Sequence, residues 1–461
     1  MSLNETVAAI ATPLGYSGIG IVRMSGNQSL SIARRIFQPH QEREIDWESS
    51  FTIHYGWIIN PETKEHIDEV LLTLMRAPKT YTREDIVEIN CHGGPVPLRK
   101  ILNLTLRWGA RLAEPGEFTK RAFLNGRIDL TQAESVLDIV QAKTGKSLEA
   151  AMNQLEGGLS KKISFLEEEV LNLLSDFEAE IDFAYEDIKF LSPKETKKNL
   201  HKILIDINCL LEMNQMDKIY REGIKVVIAG KPNVGKSTLL NALLQRKRAI
   251  VTPMPGTTRD TIEEMINIKG FPLQIIDTAG LKKAKNKIDK EALKRTYSKL
   301  EEADIILLML DGSLPLNGED SWLFKEIKEE GTLAVINKID LPQRIDKEKI
   351  ASFFSKEKTI EISAKEEINL QKLTQKVTNL MLKEIIPYSD NRIAVNLRQK
   401  KILEKVRKNI NRALQGIDKN LPRELISFEL REGLKRLGEI TGKEVNEEIL
   451  NNIFSHFCIG K

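Results

Sequence analysis

The chain has little cysteine and no long apolar run. Its three cysteines, Cys91, Cys209 and Cys458, lie far apart and form no Cys-Xaa-Xaa-Cys pair, which argues against a zinc site or a disulfide framework and suits a reducing compartment. Residues 6–22 are uncharged, but they include Pro13 and follow no basic leader, so we expect no secretory signal. No stretch approaches the length of a membrane span. We therefore expect a cytoplasmic protein with no membrane partner.

The chain also lacks a strong excess of charge of either sign. Lys and Arg number 69 against 66 for Asp and Glu, a formal net charge of +3, so the composition does not indicate a nucleic-acid coat protein. Any RNA contact must come from a local patch. One candidate patch is a helical stretch, for which a solvated helix face is the competing explanation; its basic residues are Lys400, Lys401, Lys405, Arg407 and Lys408.

Four short strings are present in a fixed order. They are Gly230-Lys-Pro-Asn-Val-Gly-Lys-Ser237, Gly256-Thr-Thr-Arg-Asp260, Asp277-Thr-Ala-Gly280 and Asn337-Lys-Ile-Asp340. The first matches the phosphate-binding loop of NTPases, in which glycines let backbone N–H groups surround phosphates. The last supplies base identity, because the Asp340 carboxylate can accept both N–H groups on the edge of guanine, where adenine offers an acceptor. Together the strings predict a guanine-nucleotide site.

The predicted GTP contacts come from these strings and from nearby segments. Lys236 should reach the β and γ oxygens, while Ser237 and Thr258 are the expected side-chain ligands of Mg²⁺. Asp277 should hold the Mg²⁺ shell, and the Gly280 amide should contact the γ-phosphate. The full predicted set is Asn233, Val234, Gly235, Lys236, Ser237, Thr238, Thr252, Pro253, Met254, Pro255, Gly256, Thr257, Thr258, Asp277, Thr278, Ala279, Gly280, Asn337, Lys338, Asp340, Ser363, Ala364 and Lys365.

Two residues bear on hydrolysis. Many switch GTPases carry a water-orienting glutamine directly after the Asp-Xaa-Xaa-Gly string, but this chain has Leu281 there. The nearby polar segment 282–290 contains one acid, Asp289. We predict that Asp289, together with Lys236, is catalytic; the alternative is that Asp289 is a solvated salt-bridge partner. Asn233 is typical of GTPases that use K⁺ in place of an arginine finger. An arginine finger accelerates hydrolysis by a factor on the order of 10³ to 10⁵.

The middle of the chain has the pattern of a doubly wound parallel sheet, since short apolar strands alternate with helical stretches across residues 224–382. Three of the four strings then lie just past the carboxyl end of a strand, where open α/β sheets bind ligands. The string from Gly256 lies in a connecting loop. The predicted strands are 225–229, 273–276, 305–310, 333–336 and 359–362.

The flanking segments differ from the sheet region. Amphipathic helices are predicted over 130–217, including 163–183, and again over 395–414 and 425–437. The simplest architecture is therefore a helical domain interrupted by an inserted, Ras-like P-loop GTPase domain.

The first part of the chain, richer in Gly, Pro and β-branched residues, predicts a separate α+β domain. Its extended candidates are 18–24, 51–59, 70–75 and 86–89. We place this first domain at 1–125, the two parts of the helical domain at 126–220 and 384–461, and the inserted GTPase domain at 221–383. This agrees with the roughly three domains that the length allows.

Motifs at both ends of the chain carry a specific resemblance. They are His92-Gly-Gly94, Pro115-Gly-Glu-Phe-Thr-Lys-Arg-Ala-Phe-Leu-Asn125, Asp129-Leu-Thr-Gln-Ala-Glu134 and Phe457-Cys-Ile-Gly-Lys461. Together with the interrupted domain order, they resemble the MnmE (TrmE) family of bacterial and organellar tRNA-modification GTPases over the full length.

The resemblance implies a homodimer joined through N-terminal domains that are similar to folate-binding domains of aminomethyltransferases. It implies a flavin-dependent partner, MnmG, which carries the FAD, and a tRNA substrate. The pair installs an aminomethyl-type, carboxymethylaminomethyl group at C5 of the wobble uridine. The one-carbon unit comes from 5-formyltetrahydrofolate or a related tetrahydrofolate.

The resemblance also assigns site residues. Folate contacts fall on Arg23, Glu88, Arg127 and Lys461, with Arg127 standing where a lysine also occurs in the family. Carboxylates suit the paired N–H donors of a pterin, and cations suit the glutamate tail. Cys458 is a candidate functional thiol or a small packed residue.

In the nucleotide domain, the resemblance assigns K⁺ to Asn233 and to the carbonyls of Thr252, Met254 and Thr257. Asp289 aligns with a family glutamate and is shorter by one methylene, about 1.5 Å. An alternative reading is a ribosome-assembly RNA-binding GTPase, since several of these share Asn in the loop and the Gly-Thr-Thr-Arg string.

Overall fold

The computed structural model describes residues 5–41, 44–182, 190–247, 263–277, 298–385 and 393–461. The chain divides into two compact units. The first contains Met1–Leu137, Gln154–Leu200 and Lys408–Lys461, and the second contains Asp138–Asn153 and His201–Arg407.

The described helices begin and end as follows, in chain order: α1 (Ser29–Ile36), α2 (Pro95–Arg107), α3 (Glu117–Leu124), α4 (Leu130–Gln141), α5 (Gly145–Leu155), α6 (Gly158–Asp182), α7 (Pro193–Glu212), α8 (Asn214–Glu222), α9 (Lys236–Lys247), α10 (Gly318–Glu326), α11 (Lys347–Ala351), α12 (Leu370–Leu380), α13 (Leu397–Asp418), α14 (Arg423–Thr441) and α15 (Glu447–Ser455). A 3₁₀ turn covers Lys356–Lys358, and a π-helical turn covers Met381–Ile385. Gly145, Gly158 and Pro193 are the first residues of α5, α6 and α7.

The first unit contains a mainly antiparallel sheet in the order β3-β4-β5-β6-β2-β1-β7, in which β1 and β7 are parallel. Alternate residues of β5, such as Leu72 and Leu74, are fully buried beneath α1 and α2, whereas Leu71 is 45% exposed. This alternation is typical of a sheet with one covered face. The strands are β1 (Val7–Ile10), β2 (Ser17–Ser25), β3 (Phe37–Pro39), β4 (Thr52–Ile59), β5 (His66–Met75), β6 (Ile86–Gly93) and β7 (Arg111–Leu112).

Helices α6 and α14 pack together within the first unit. The Arg423 guanidinium lies 5.2 Å from the centre of the Phe177 ring, and its Nε lies 3.0 Å from Glu180 Oε1. At the other end of the contact, Lys443 Nζ lies 2.6 Å from Glu167 Oε2. Helices α6 and α14, which cover the described part of the predicted helices 163–183 and 425–437, thus form one packed pair with charged contacts at both ends.

The second unit contains a sheet in the order β13-β12-β11-β8-β10-β9, parallel except for the antiparallel pair β9 and β10. Both faces are covered: Ile305, Leu307 and Met309 of β11 enter one core, and the intervening Ile306 and Leu308 enter the other. This confirms the doubly wound α/β arrangement. The strands are β8 (Ile224–Gly230), β9 (Glu263–Ile268), β10 (Phe271–Asp277), β11 (Ile305–Asp311), β12 (Thr332–Asn337) and β13 (Thr359–Glu361).

No helix in the described part of the chain is both long enough and apolar enough to cross a membrane.

Candidate functional site

The first string forms a tight loop between β8 and α9. Gly230 and Gly235 have φ angles of 148° and 99°, and Asn233 has a φ of 64°. A Cβ on Gly235 would lie 2.3 Å from Asn337 Nδ2, so both the backbone angle and the close approach require glycine. The loop ends at the N-terminus of α9, where backbone N–H groups and the helix dipole favour phosphate.

Lys236 is held by its own loop. The residue is 9% exposed, and its Nζ donates to the carbonyls of Gly230 at 3.2 Å and Lys231 at 2.9 Å. The neighbouring Ser237 and Thr238 are exposed at the first turn of α9, as is Asn233 in the loop. The ammonium and the first turn therefore face the same loop, as a phosphate site requires.

Asn337 joins three segments of the candidate site. Its Nδ2 donates to the Val234 carbonyl at 2.8 Å, and its Oδ1 accepts from the Ala364 N–H at 2.9 Å. The side chain is almost fully buried. The structure thus brings the first string, the fourth string and the predicted Ser363-Ala364-Lys365 segment together.

Two carboxylates lie at or beside the fourth string. Asp311 Oδ2 lies 2.6 Å from Lys338 Nζ, and although burial raises the pKa of Asp311, this ion pair and hydrogen bonds from Ser313 bring it below its usual value. Asp340 is exposed, and a hydrogen bond with the Ser363 side chain lowers its pKa. Both groups are therefore carboxylates at neutral pH, and Asp340 is open to solvent.

Several predicted residues lie outside the described part of the chain. They are Thr252, Pro253, Met254, Pro255, Gly256, Thr257, Thr258, Thr278, Ala279, Gly280, Leu281 and Asp289. The backbone of Asp277 is described as the last residue of β10.

The first unit contains the predicted folate residues. Arg23 and Glu88 are opposite each other on β2 and β6, with Arg23 Nε 2.7 Å from Glu88 Oε1. Arg23 also donates to the Gly460 carbonyl at 3.3 Å. Both side chains are about one-fifth exposed, at 22% and 20%, so this polar pair is accessible beside the last residues of the chain.

The C-terminal residues are held by main-chain contacts. The Lys461 carbonyl accepts from Phe118 N–H at 3.2 Å, and Gly116 N–H donates to the Cys458 carbonyl at 3.4 Å. Gly460 has a φ of 96°, and a Cβ there would lie 2.5 Å from the Ile10 carbonyl oxygen. The side chains of Cys458 and Lys461 are exposed.

Arg127 is connected to the same region through Tyr81. The Arg127 guanidinium lies 4.4 Å from the centre of the Tyr81 ring, and Tyr81 Oη forms a 2.9 Å hydrogen bond with Thr119 Oγ1. Thr119 adjoins Phe118, whose ring lies 5.6 Å from the Arg23 guanidinium. Helix α3 thus connects all four predicted folate contacts. Arg127 Nε is buried and has no hydrogen-bond partner among the described residues.

Motif matching missed several residues that support these sites. Tyr81 lies in none of the quoted motifs, and Phe118 lies in the Pro115–Asn125 motif but received no role. Asp311 could have been identified from the sequence, because it follows a predicted strand at the carboxyl edge of the sheet, where open α/β sheets bind ligands.

The structure assigns no ligand to the basic patch. Lys401, Lys405 and Lys408 of the basic patch are exposed, while Arg407 donates to Asn208 Oδ1 at 3.3 Å. Within the residues the structure describes, no group of three or more His, Cys, Asp and Glu side chains is placed to hold a metal ion.

Comparison with known families covers nearly the whole chain. A family model described as the GTP-binding protein TrmE N-terminus matches residues 6–127, and one described as the MnmE helical domain matches residues 130–458.

Curated relatives match at full length. Proteins named tRNA modification GTPase MnmE from Desulforamulus reducens and Carboxydothermus hydrogenoformans are 46% and 45% identical over 460 residues, covering 100% of each chain. The protein of that name from Thermoanaerobacter pseudethanolicus is 46% identical over 457 residues, covering 99% of each chain.

Proposed function

Because this chain belongs to the MnmE family of tRNA modification GTPases, as its motifs predict, we propose that it is a potassium-stimulated GTPase that modifies tRNA. With the flavin-dependent partner MnmG, it installs a carboxymethylaminomethyl group at C5 of the wobble uridine of certain tRNAs. A tetrahydrofolate supplies the one-carbon unit, and FAD is carried by the partner. The chain acts as a homodimer in the cytoplasm.

The Asn337 contacts carry the nucleotide part of the proposal. One side chain fixes both the phosphate loop, through Val234, and the segment at Ala364. A ligand with phosphates at one end and a purine at the other spans these two segments. The exposed Asp340 carboxylate provides the acceptor that a guanine edge requires.

The residues present fit the proposed cations. The Ser237 hydroxyl is exposed at the start of α9, and the Asn233 side chain is exposed in the loop; both offer the oxygen ligands that Mg²⁺ and K⁺ prefer. Thr258 completes the proposed Mg²⁺ set, and Thr252, Met254 and Thr257 complete the K⁺ set. When bound, the two cations neutralise charge that develops on the phosphates.

In hydrolysis, Lys236 shifts from the carbonyls of its loop to the phosphate oxygens, where its charge stabilises the transition state. Asp289 orients the attacking water, because Leu281 occupies the position where many switch GTPases carry the water-orienting glutamine. Asp289→Asn should slow hydrolysis and leave GTP affinity nearly intact. Unchanged turnover would move the water-positioning role to another residue.

The buried Arg127 Nε supports the folate part of the proposal, because a buried donor without a partner indicates a missing acceptor. Arg127 and Lys461 suit the carboxylates of the glutamate tail, and Glu88 suits the N–H groups of the pterin. Arg23 holds Glu88 in place by their 2.7 Å ion pair. Cys458 remains a candidate thiol beside them.

The decisive experiment is mass spectrometry of wobble uridines in tRNA from cells that lack this protein. We expect the carboxymethylaminomethyl group to disappear and to return with the intact gene. An unchanged modification profile would contradict the proposed substrate.

The cation claim needs purified protein. GTP turnover should be much faster in K⁺ than in Na⁺ at equal ionic strength, and equal rates would contradict the proposed K⁺ site. Loss of 5-formyltetrahydrofolate binding on deleting Lys461 would test the folate site separately.

A further inference from the structure

A shielded ion pair connects the phosphate loop to helix α10. Lys231 directly follows Gly230, and its Nζ lies 2.6 Å from Asp320 Oδ2 and 3.3 Å from Asn317 Oδ1. The side chains of Lys231 and Asp320 are only 14% and 4% exposed. Their interaction is therefore less screened by solvent than that of a surface ion pair.

The helix end is complete without the lysine. Asn317 Oδ1 accepts from the backbone N–H groups of Glu319 and Asp320, and Asp320 Oδ2 accepts from Asn317 N–H at 2.9 Å, which makes a capping box. The N-terminus of a helix also repels a cation, because the helix dipole is positive there. Helix capping therefore does not explain why the Lys231 ammonium lies at the start of α10. The carboxylate of Asp320 makes this position of the ammonium favourable.

The main chain of Lys231 belongs to the phosphate loop itself. Its carbonyl accepts from Lys236 Nζ at 2.9 Å. Pro232 follows and has a restricted φ, so fixing the Lys231 side chain restricts the orientation of the peptide units that enter the loop. The carboxylate of α10 is thus connected to Lys236 through one residue.

We propose that Lys231 and Asp320 form a positioning pair that holds the phosphate loop in its nucleotide-binding conformation. Neither residue is among the proposed nucleotide contacts; both act through the backbone of the loop. This inference rests on the proposed nucleotide site and adds α10 as the element that supports it.

The test uses the full-length chain and fluorescent GTP and GDP analogues. Asp320→Asn keeps the shape of the capping side chain and removes its charge, and Lys231→Met keeps the aliphatic stem. We expect each variant to bind both nucleotides about tenfold more weakly, and to raise KM more than it lowers kcat. The double variant should lose no more than either single variant, because the two side chains act as one pair. Lys231→Arg should retain most of the affinity.

The matched control is Glu302→Gln, which removes the partner of Lys225 in an exposed ion pair of the same unit, 3.1 Å long. It should leave both affinities unchanged. Variants that lower the melting temperature but bind nucleotide like the unaltered chain would overturn the inference, as would additive losses in the double variant. If the unaltered chain bound neither nucleotide, the proposed function itself would fail, which is a different result.

Discussion

Asn337 Nδ2 donates a 2.8 Å hydrogen bond to the Val234 carbonyl, so a residue of the fourth string supports the loop that the first string forms. Its Oδ1 accepts from Ala364 N–H at 2.9 Å, and the side chain is 3% exposed. A buried amide with both ends paired is costly to disrupt, because each partner would lose its hydrogen bond. The proposed phosphate contacts and the proposed base contacts therefore both depend on one side chain.

Replacing Asn337 tests this dependence. Asn337→Ala leaves the Val234 carbonyl and the Ala364 N–H without their partner, and we expect GTP and GDP affinity to fall by about tenfold or more. Isothermal titration calorimetry measures both. The control Asn379→Ala removes an exposed amide that accepts from Gln375 at 2.9 Å, and it should bind normally. Equal affinities in the two variants would contradict the bridging role.

Gly235→Ala tests the close approach of the loop to Asn337. The added Cβ would lie 2.3 Å from Asn337 Nδ2, at a φ of 99°, so the loop must shift and nucleotide affinity should fall by about tenfold or more. Gly318→Ala is the matched control, since a Cβ there meets nothing within 4 Å. Nucleotide titration of both variants measures the difference. Normal binding by Gly235→Ala would show that the loop relaxes freely.

Arg127→Met tests the proposed folate site. The change keeps apolar contact with Tyr81 but removes the guanidinium, so 5-formyltetrahydrofolate should bind about tenfold more weakly. GTP turnover should not change. The control Arg107→Met removes an exposed ion pair with Glu62, 3.1 Å long. Fluorescence titration with the folate should separate the two variants, and equal binding would remove Arg127 from the site.

The three cysteines should differ in alkylation rate. Cys91 is buried, its Sγ donates to the Gly20 carbonyl, and burial raises its pKa to about 11, with the Asp68 charge adding to the effect. Cys209 and Cys458 are exposed. Because the thiolate is the reactive form, iodoacetamide at pH 8 should label the two exposed cysteines first. Peptide mass spectrometry locates the label, and early labelling at Cys91 in folded protein would contradict its burial.

His92 should titrate above its ordinary value. A hydrogen bond from its ring to Asp68 Oδ1 at 2.7 Å, assisted by the Asp68 charge, raises the pKa of His92. The pair therefore contributes its full stability below the unfolded pKa of histidine, about 6.5. This contribution is lost as the pH rises through the higher pKa of the folded protein. The ring is 66% exposed, so the contribution to stability is small.

NMR titration measures the midpoint of His92 directly. Asp68→Asn should lower that midpoint toward about 6.5. If the Asp68→Asn variant and the unaltered chain gave one midpoint for His92, the pairing would not exist in solution.

The strong strands were predictable because they are buried on both faces. The apolar runs at 225–229 and 305–310 became β8 and β11 within one residue at each end. In the first unit, the short strands β1, β3 and β7, of two to four residues, were not predicted. Such short segments show too few alternations to identify from sequence, and neighbouring strands decide them.

The sequence alone determined which residues could bind phosphate and guanine. The four strings follow from local chemistry, and the alternation of strand and helix places three of them at one edge of a sheet. Sequence motifs also determined the family. These features can be identified without the tertiary structure, because each depends on residue type and short-range spacing.

Only the tertiary structure decided which partner each charged or polar group has. Lys231 and Asp320 are 89 residues apart in the chain, and Asn337 and Val234 are 103 apart. Arg23 and Gly460 are separated by 437 residues. Nothing in local sequence selects one carboxylate or carbonyl among many, because the choice is made when sheet order and helix packing bring distant segments within hydrogen-bond distance.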